Sequence, residues 1–493
     1  MEKAAKQVII IGSGVAGVAT AIRLAVGGHR VNIYEQQSQP GGKLSAFEQQ
    51  GFFFDKGPSL LTQPDNIEAL FELAGEPIEN YFQYKHCESH CNYFWEDGTV
   101  VKAFSDPEKF SKELSDKLEE DNTTLQRYLA AAARVYDQVA FIFLKFSLHK
   151  RSTWLNKRVF KAFGKLDFTL LKKTLHQYNI GTFKNAKTAQ IFNRYATYNG
   201  SNPYTAPAML SVISHVEYSA GAYYAKGGMI NITQALYKLA LKLGVIFHFD
   251  AKVSAIIADD KVHGIVVNNK NVFADIVVSN IDVYYTFKNL LSDSASANKI
   301  LKQERSSSAC IFYWGVNKTF DELGLHNILF TENYEAEFNH IFKTKKHYDD
   351  PTVYINITSK EDANHAPAGK ENWFVMVNVP ATKDVYDENT LKRLRDNTVK
   401  KISGILKLDI GNYIETETIM QPAEIDANTG SYMGSLYGTS SNARLAAFVR
   451  HPNFSKQIKG LYFCGGSVHP GGGIPLCLHS AAIVNDLIVQ QYN

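Results

Sequence analysis

Residues 7–35 read QVIIIGSGVAGVATAIRLAVGGHRVNIYE, and this stretch decides the fold. Residues 8–11 are an unbroken run of β-branched side chains, the pattern of a strand buried on both faces. Glycines interrupt it at once, in the spacing Gly12-x-Gly14-x-x-Gly17. Past them Val18, Ala21, Ile22 and Ala25 recur at i, i+3, i+4 and i+7, a helical stripe suited to packing on a sheet. Gly27 and Gly28 end that helix where a left-handed residue is needed, and Arg30–Tyr34 is the next strand. The whole is a β-α-β unit with short connections and a right-handed crossover. Gly12 permits the tight turn, Gly14 lets backbone N–H groups approach a pyrophosphate, and Gly17 allows close helix packing. Ser13 and Ala16 lie in the same turn and count among its binding residues. Glu35 closes the second strand eighteen residues beyond Gly17, where a carboxylate can accept from ribose hydroxyls and disfavours a 2′-phosphate. With the positive end of the helix under the phosphates, the unit is a dinucleotide site.

The chain around this unit has 493 residues, room for more than one domain. Hydrophobic residues at 45% and charged residues at 20% fit a folded protein with a large core and exclude a disordered or fibrous one. A net charge of +3 is too mild to indicate nucleic acid, so any basic surface must come from local clustering. Five scattered cysteines suit free thiols in a reducing compartment. The N-terminus runs from a short charged lead into the first strand and does not read as a secretion signal. The most apolar run, residues 139–144, falls far short of the ~20 residues that cross a bilayer. A cytoplasmic protein, peripheral to a membrane at most, is expected.

Residues 91–103 read as a hairpin turning at Glu96-Asp97-Gly98, with alternation sending neighbours to opposite faces. Residues 105–187 are helical in pattern, 227–244 form a glycine-capped helix, and 245–249 and Val253–Ala258 are strands. A β-rich stretch covers about 306–380, and 461–466 is a strand that enters a glycine- and proline-rich turn before a closing helix over 480–492. The expected fold class is mixed α/β. A Rossmann-like dinucleotide-binding domain draws on residues 1–78, 225–295 and 440–493, a β-rich substrate domain on 79–105 and 296–439, and a helical cap on 106–224.

The glycine signature suits NAD as well as FAD, and its sequel separates them. After Glu35 come QSQPGGKL (37–44) and GFFFDKGPS (51–59), two glycine turns where a plain NAD fold would continue into helix and strand. They resemble the loops that wrap pyrophosphate and flavin in the glutathione-reductase-type and amine-oxidase-type flavoproteins. That resemblance implies that Gly42, Lys43, Pro58 and Ser59 approach FAD, Lys43 as a point cation for phosphate. At the far end GLYFCGGSVHPGGGIP (460–475) makes a turn almost free of side chains, through which backbone amides and a helix N-terminus reach an electron-rich ring edge. Gly466, Gly473, Ile474 and Pro475 are its implied contacts. VSAI (253–256) and ADIVVSNID (274–282) look like the third FAD segment, with Val253 near the adenine and Asn280 and Asp282 among the contacts.

Together with YNGSNPYTAPA (198–208), YYAKGGM (223–229), DPTVY (350–354), APAG (366–369) and LYG (436–438), these segments resemble the bacterial-type carotenoid desaturases, the phytoene desaturase family. The similarity spans essentially the whole chain. GGSVHPGGGIPLCL (465–478) looks closest to the branch of 1-hydroxycarotenoid 3,4-desaturases. The resemblance implies removal of two hydrogens from a C–C bond of a carotenoid, with hydride going to flavin N5 and the conjugated chain extended. Phytoene desaturation, flavin-dependent carotene isomerisation and amine oxidation, for which neither a cysteinyl flavin link nor an aromatic cage is assigned, are the alternatives within enzymes, and a flavin-free prenyl- or lipid-binding chaperone is the non-enzymatic one. Reoxidation would fall to oxygen or a quinone.

Such chemistry needs a hydride acceptor, a path for one proton and an apolar tunnel. Charge developing along a polyene is delocalised, so no strong base is obligatory. Glu217, before the GAYYAKGGM segment, is the candidate for handling the proton. A carotenoid reaches the enzyme from a bilayer, and residues 145–173 carry nine Lys or Arg (145, 150, 151, 157, 158, 161, 165, 172, 173) against one acid, Asp167. Phe146, Trp154, Phe160, Phe163 and Phe168 interleave with them, a composition suited to an interfacial helix on anionic lipid. The residues His86, Cys87, Glu88, His90 and Cys91 have metal-ligand chemistry, but a metal site is not expected in a hairpin. His469 and His479 flank the glycine-rich turn, where His469 could touch the cofactor's surroundings.

Overall fold

A computed structural model describes residues 5–164 and 169–492. Strand β1 (Gln7–Ile11), helix α1 (Val15–Val26) and strand β2 (Arg30–Tyr34) open the chain as the β-α-β unit. β1 pairs in parallel with β2 and, on its other edge, with Ile276–Ser279, which pairs with Leu461–Phe463, while Ile246–His248 extends the sheet beyond β2. Three distant stretches thus build one five-stranded parallel sheet. Alternation along β1 sends Val8 and Ile10 into a core with Val18, Ile22, Leu236 and Val484, where α1 packs with the helices Ile230–Lys242 and Ile474–Tyr492. Ile9 and Ile11 face a second cluster under the antiparallel strands Val253–Ala258, Val262–Val267 and Lys270–Phe273.

The second sheet has seven strands, in the order Ile414–Met420, Ser308–Val316, Glu371–Val379, Val353–Asn356, His326–Leu329, Ser89–Phe94 and Val100–Phe104. Helix Glu388–Leu406 covers one face, seating Leu394 and Ile402 on Trp314, Trp373 and Val375. The other face meets the helical cap, where Tyr93, Ile328 and Phe330 pack on Phe110, Tyr128, Phe192 and Tyr195. A small sheet of Leu61–Thr62, Ala222–Ala225 and Tyr84–His86 ties the three parts together. The hairpin Ala46–Gln49 and Phe52–Asp55, placed with the cofactor domain by chain position, inserts Phe52 and Phe54 beside Ile311 and Tyr313 of the seven-stranded sheet.

Three local expectations need correction. The closing helix begins at Ile474, not near residue 480, because the glycine run ends at Gly473 and Pro475 falls in the first turn, where its missing N–H costs nothing. The region 145–173 is not one interfacial helix. It is broken into Arg151–Leu155, Lys157–Phe163 and Thr169–Lys172, with Asn156 between the first two. Lys165, Asp167, Phe168 and the Phe163 side chain lie outside the described residues. Alternation in the 89–94 strand fails at His90, where pairing with Val100–Phe104 slips between Ser89 and Cys91.

Candidate cofactor site and substrate chamber

The turn after β1 is shaped by what it excludes. Gly12 adopts φ +94°, and its N–H donates to Tyr34 O at 2.8 Å. A Cβ on Gly17 would stand 2.4 Å from Gly12 O, and one on Gly14 2.9 Å from the Asn280 amide. Asn280 leaves the end of the Ile276–Ser279 strand with its amide oxygen toward α1, accepting from the N–H groups of Gly14 and Gly17 at 3.2 Å each. It caps α1 from across the sheet, since Gly14 has no side chain with which to do so. The first turn of α1 is the positive end of the helix, where an anion is favoured. Gly41 N donates to Ser13 O at 3.1 Å and a Cβ on Gly42 would be 3.6 Å from Gly14 Cα, so the second glycine turn lies directly on the first.

Glu35 is 7% exposed. Its carboxylate accepts from Ser13 N (2.8 Å), Ser13 Oγ (2.7 Å) and Gln37 N (2.9 Å), so Ser13 orients the group assigned to the ribose. Ala251 N donates to Glu35 O, and Val253 packs in one cluster with Ala251 and Tyr34. Glu35 and Val253 would hold the adenosine half.

The far turn folds on itself. A Cβ on Gly466 would come 3.2 Å from Gly472 Cα, and one on Gly472 2.9 Å from Tyr437 Cα. Gly473, at φ +101°, would point a Cβ into open space, and Ile474 and Pro475 begin the helix behind it. Three cations converge near this turn. Lys43 donates from Nζ to Leu436 O at 2.8 Å, and burial lowers its pKa to about 8 although Cys477 and Asp282 oppose the shift. Lys43 thus reaches the 435–436 carbonyls, because the Gly41–Gly42 turn, with φ of +129° and +56°, sends the next side chain across the site. Arg305 pairs with Asp282 and donates to Ser435 Oγ at 2.8 Å, while its Nε and Nη1 are buried without partners. Arg450 is 2% exposed and donates to Tyr437 O (3.1 Å), Thr439 O (2.8 Å) and Gly466 O (3.5 Å). Burial lowers its pKa to about 10, and among the described residues no carboxylate pairs with it.

Three cations around one carboxylate leave an uncompensated positive field, and the orphaned Arg305 donors await an acceptor. An anionic phosphate or an electron-rich flavin edge fits this donor set. Asp282 is committed to Arg305 and to the Tyr284 N–H (3.0 Å) and acts here as an anchor. Nothing in the spacing of single arginines marked Arg305 or Arg450. The signal available was one-sided: the apolar run 445–449 precedes Arg450, and the run 309–314 follows Arg305 only after three serines.

Beyond the Pro58–Ser59 turn lies a buried polar cluster. Pro58 is half-buried, and the next residue, Ser59, bonds through Oγ to Tyr354 OH at 2.6 Å; Tyr354 OH meets His326 Nδ1 at 2.7 Å. Glu217 is buried and accepts from Arg194 Nη2 (2.9 Å), Tyr195 OH (2.8 Å) and Tyr198 OH. Burial alone would raise its pKa, but Arg194, His90 and the two tyrosines outweigh that and hold it below the usual range. A carboxylate kept ionised and saturated with donors is a weakened base. On the opposite side His469 Nε2 lies 3.0 Å from Phe146 O, and its ring stands 4.9 Å from that of Phe143, joining the glycine-rich turn to the end of Thr124–Lys145. Burial lowers its pKa to about 3, so it stays neutral.

A dinucleotide-binding unit completed by two distant segments, beside a β-rich domain and a helical cap, defines a flavoprotein oxidoreductase that binds FAD. The chain belongs to the family of flavin-containing amine oxidoreductases, whose model matches residues 15–489. It is 48% identical over 484 residues to a 1-hydroxycarotenoid 3,4-desaturase of Flavobacterium sp. (strain P99-3), covering 98% of this chain and 99% of that protein. It is 33% identical over 493 residues to a 4,4'-diapolycopene oxygenase of Methylomonas sp, with 98% of each covered. Among solved structures a triple variant of putrescine oxidase superposes with a TM-score of 0.64 at 13% identity, over 99% of both chains, a likeness of fold.

Proposed function

We propose that the protein is an FAD-dependent carotenoid desaturase that introduces the 3,4 double bond of a 1-hydroxycarotenoid. The observation that carries this reading is the 48% identity to such an enzyme along nearly all of both chains. The chemistry supplied by bound FAD is acceptance of a hydride from one carbon while a proton leaves its neighbour, and oxygen or a quinone restores the oxidised cofactor. Around it, the α1 N-terminus and Glu35 hold the ADP moiety, and Lys43, Arg305 and Arg450 supply positive charge. Glu217 fixes Arg194, Tyr195 and Tyr198 in a buried cluster and is assigned a positioning role, with the proton leaving a carbon whose charge is spread along the polyene.

The substrate enters from a membrane. Leu155 is 84% and Phe160 75% exposed, on short helices whose Arg151, Lys157, Arg158 and Lys161 are also exposed. A second segment flanks them: Leu445 and Val449 are exposed beside Arg444, and Phe448 packs edge-on to Phe143 at 5.7 Å. Apolar side chains ringed by basic ones suit peripheral attachment to anionic lipid on the cytoplasmic side. Among the described residues no helix is long and apolar enough to cross a membrane.

The test is turnover of an acyclic 1-hydroxycarotenoid in liposomes by the purified yellow holoprotein. A product lighter by two hydrogens and shifted to the red is expected. Unchanged mass would make it an isomerase, added oxygen would align it with the oxygenase relatives, and absence of bindable flavin would overturn the reading altogether.

A further inference from the structure

The cap-facing side of the seven-stranded sheet is largely apolar, and His90 and His326 stand out on it, 2% and 4% exposed beside Glu217, Arg194 and Tyr218. Their placement follows from the strands. Asn327 pairs with Asn92 and Ile328 with Tyr93 in parallel, so the register extends to set His326 opposite Cys91. Cys91, Tyr93, Ile328 and Phe330 pack against the cap, and His326 shares their parity. His90 is out of phase and would point away in a regular strand. The slip between Ser89 and Cys91 makes it the extra residue of a bulge, and its ring turns to the cap, 4.7 Å from that of Tyr218. With strands about 4.8 Å apart, the two imidazoles are close neighbours on that face, and His326 feels the charge of His90.

Their hydrogen bonds are incomplete in a complementary way. His326 Nδ1 lies 2.7 Å from Tyr354 OH and 3.2 Å from Asn356 Nδ2, an amide that also donates to Leu325 O at 3.0 Å. Nδ1 therefore accepts and Nε2 carries the proton, yet that N–H has no partner. His90 has none at either nitrogen. Its Nδ1 faces Glu217 Oε1 at 3.6 Å, too far for a bond but near enough to favour the proton on that side, which leaves Nε2 as an acceptor. Buried polar atoms without partners are costly, so the pair suits a ligand group that accepts from one ring and donates to the other.

We propose that His326 and His90 form the subsite for the hydroxyl on the substrate's end group, which accepts from His326 Nε2–H and donates to His90 Nε2. The inference rests on the desaturase reading and adds to it the residues that select a hydroxylated end. A tertiary alcohol satisfies both rings, and a hydrocarbon end satisfies neither. The location agrees with the chemistry. In a 1-hydroxy substrate the carbinol carbon is two bonds from C3, so the oxygen lies about 3–4 Å from the reacting bond. The bonds of 2.6 Å and 2.7 Å from Ser59 through Tyr354 to His326 join the pair to the cofactor loop.

The experiment compares a 1-hydroxycarotenoid with the same carotenoid lacking the hydroxyl, using holoenzyme in liposomes, for the native protein, His326→Gln and His90→Phe. The second substitution keeps the tilted ring contact with Tyr218. Both variants are expected to retain FAD and to lose about tenfold or more of the hydroxyl preference in kcat/KM, with turnover of the unhydroxylated substrate little changed. A merely structural role would lower both substrates alike and leave the ratio intact. An intact ratio in flavin-loaded variants, as for a pair of rings that meets only water, overturns the proposal while leaving the desaturase reading standing. Quenching of tryptophan fluorescence by each polyene gives the same ratio without turnover. Preferential binding of the hydroxylated polyene, lost in the variants and without any desaturation, would keep the subsite and remove the reaction.

Discussion

At the scale of single residues, the site depends on carboxylates whose surroundings assign them different roles. Glu35 is held by three donors from Ser13 and Gln37, which would fix its two oxygens for the ribose hydroxyls it is proposed to bind. Glu35→Ala should weaken FAD roughly tenfold to a hundredfold while the far-ultraviolet spectrum of the fold stays unchanged, since a charge-assisted bond to a buried group is lost. Flavin retained through ultrafiltration at the native level would refute the ribose role. Glu337 differs. It is 1% exposed and accepts from Thr352 N and Oγ1 at 2.9 and 2.7 Å, and burial, with Asp350 adding to it, raises its pKa to about 7. The folded protein therefore binds a proton there that the unfolded chain releases from about pH 4.5 upward, and stability falls as pH rises toward 7. Glu337→Gln keeps the shape without the charge. It should stabilise the protein by up to about 3 kcal/mol at pH 8 and by nothing below pH 4. Equal melting shifts at both pH values would contradict that.

At the scale of elements, the legible parts were those whose pattern is local. The β1-α1-β2 unit could be read because a buried strand, three glycines and an acidic residue are consecutive in the chain. The 253–258 strand could be read for the same reason. The start of the closing helix was misread, because a glycine run gives no periodicity and only the packing of Ile474 and Leu478 on the sheet reveals where the helix begins. The bulge at His90 was equally invisible: alternation is a rule about regular strands, and one inserted residue reverses it. The basic, aromatic stretch was recognised by composition, but its three short helices depend on breaks at residues 146–150 and at Asn156. That geometry sharpens its test. Leu155→Ser with Phe160→Ser should reduce partition into anionic vesicles roughly tenfold to a hundredfold, because two exposed anchors are lost. Neutralising Lys157, Arg158 and Lys161 should flatten the salt dependence, at about 1 kcal/mol per charge. Unaltered vesicle sedimentation in the first variant would remove the interfacial role from these helices.

At the scale of the whole molecule, the residues proposed to hold the cofactor come from regions hundreds of positions apart: Asn280 caps a helix that begins at Val15, and Arg450 binds the carbonyls of Tyr437, Thr439 and Gly466. No spacing rule reaches across such distances, which is why the two arginines were missed while the glycine turns they support were found. The same dispersal makes the cofactor a structural link. The orphaned Arg305 donors and the charge of Arg450, which no carboxylate among the described residues offsets, are unfavourable in the apoprotein, and one anionic ligand reaching both and the α1 N-terminus would relieve them together. Binding that favours only the folded state adds about 4 kcal/mol when the ligand is a thousandfold above its dissociation constant. Removal of FAD should therefore lower the melting temperature by several degrees. Hydrogen exchange should rise jointly near residues 12–17, 280–283 and 465–475, and readdition should restore all three with one dissociation constant. Loss of protection confined to 12–17 would mean that the dinucleotide unit binds alone and that the distant segments are assembled by protein contacts without the cofactor.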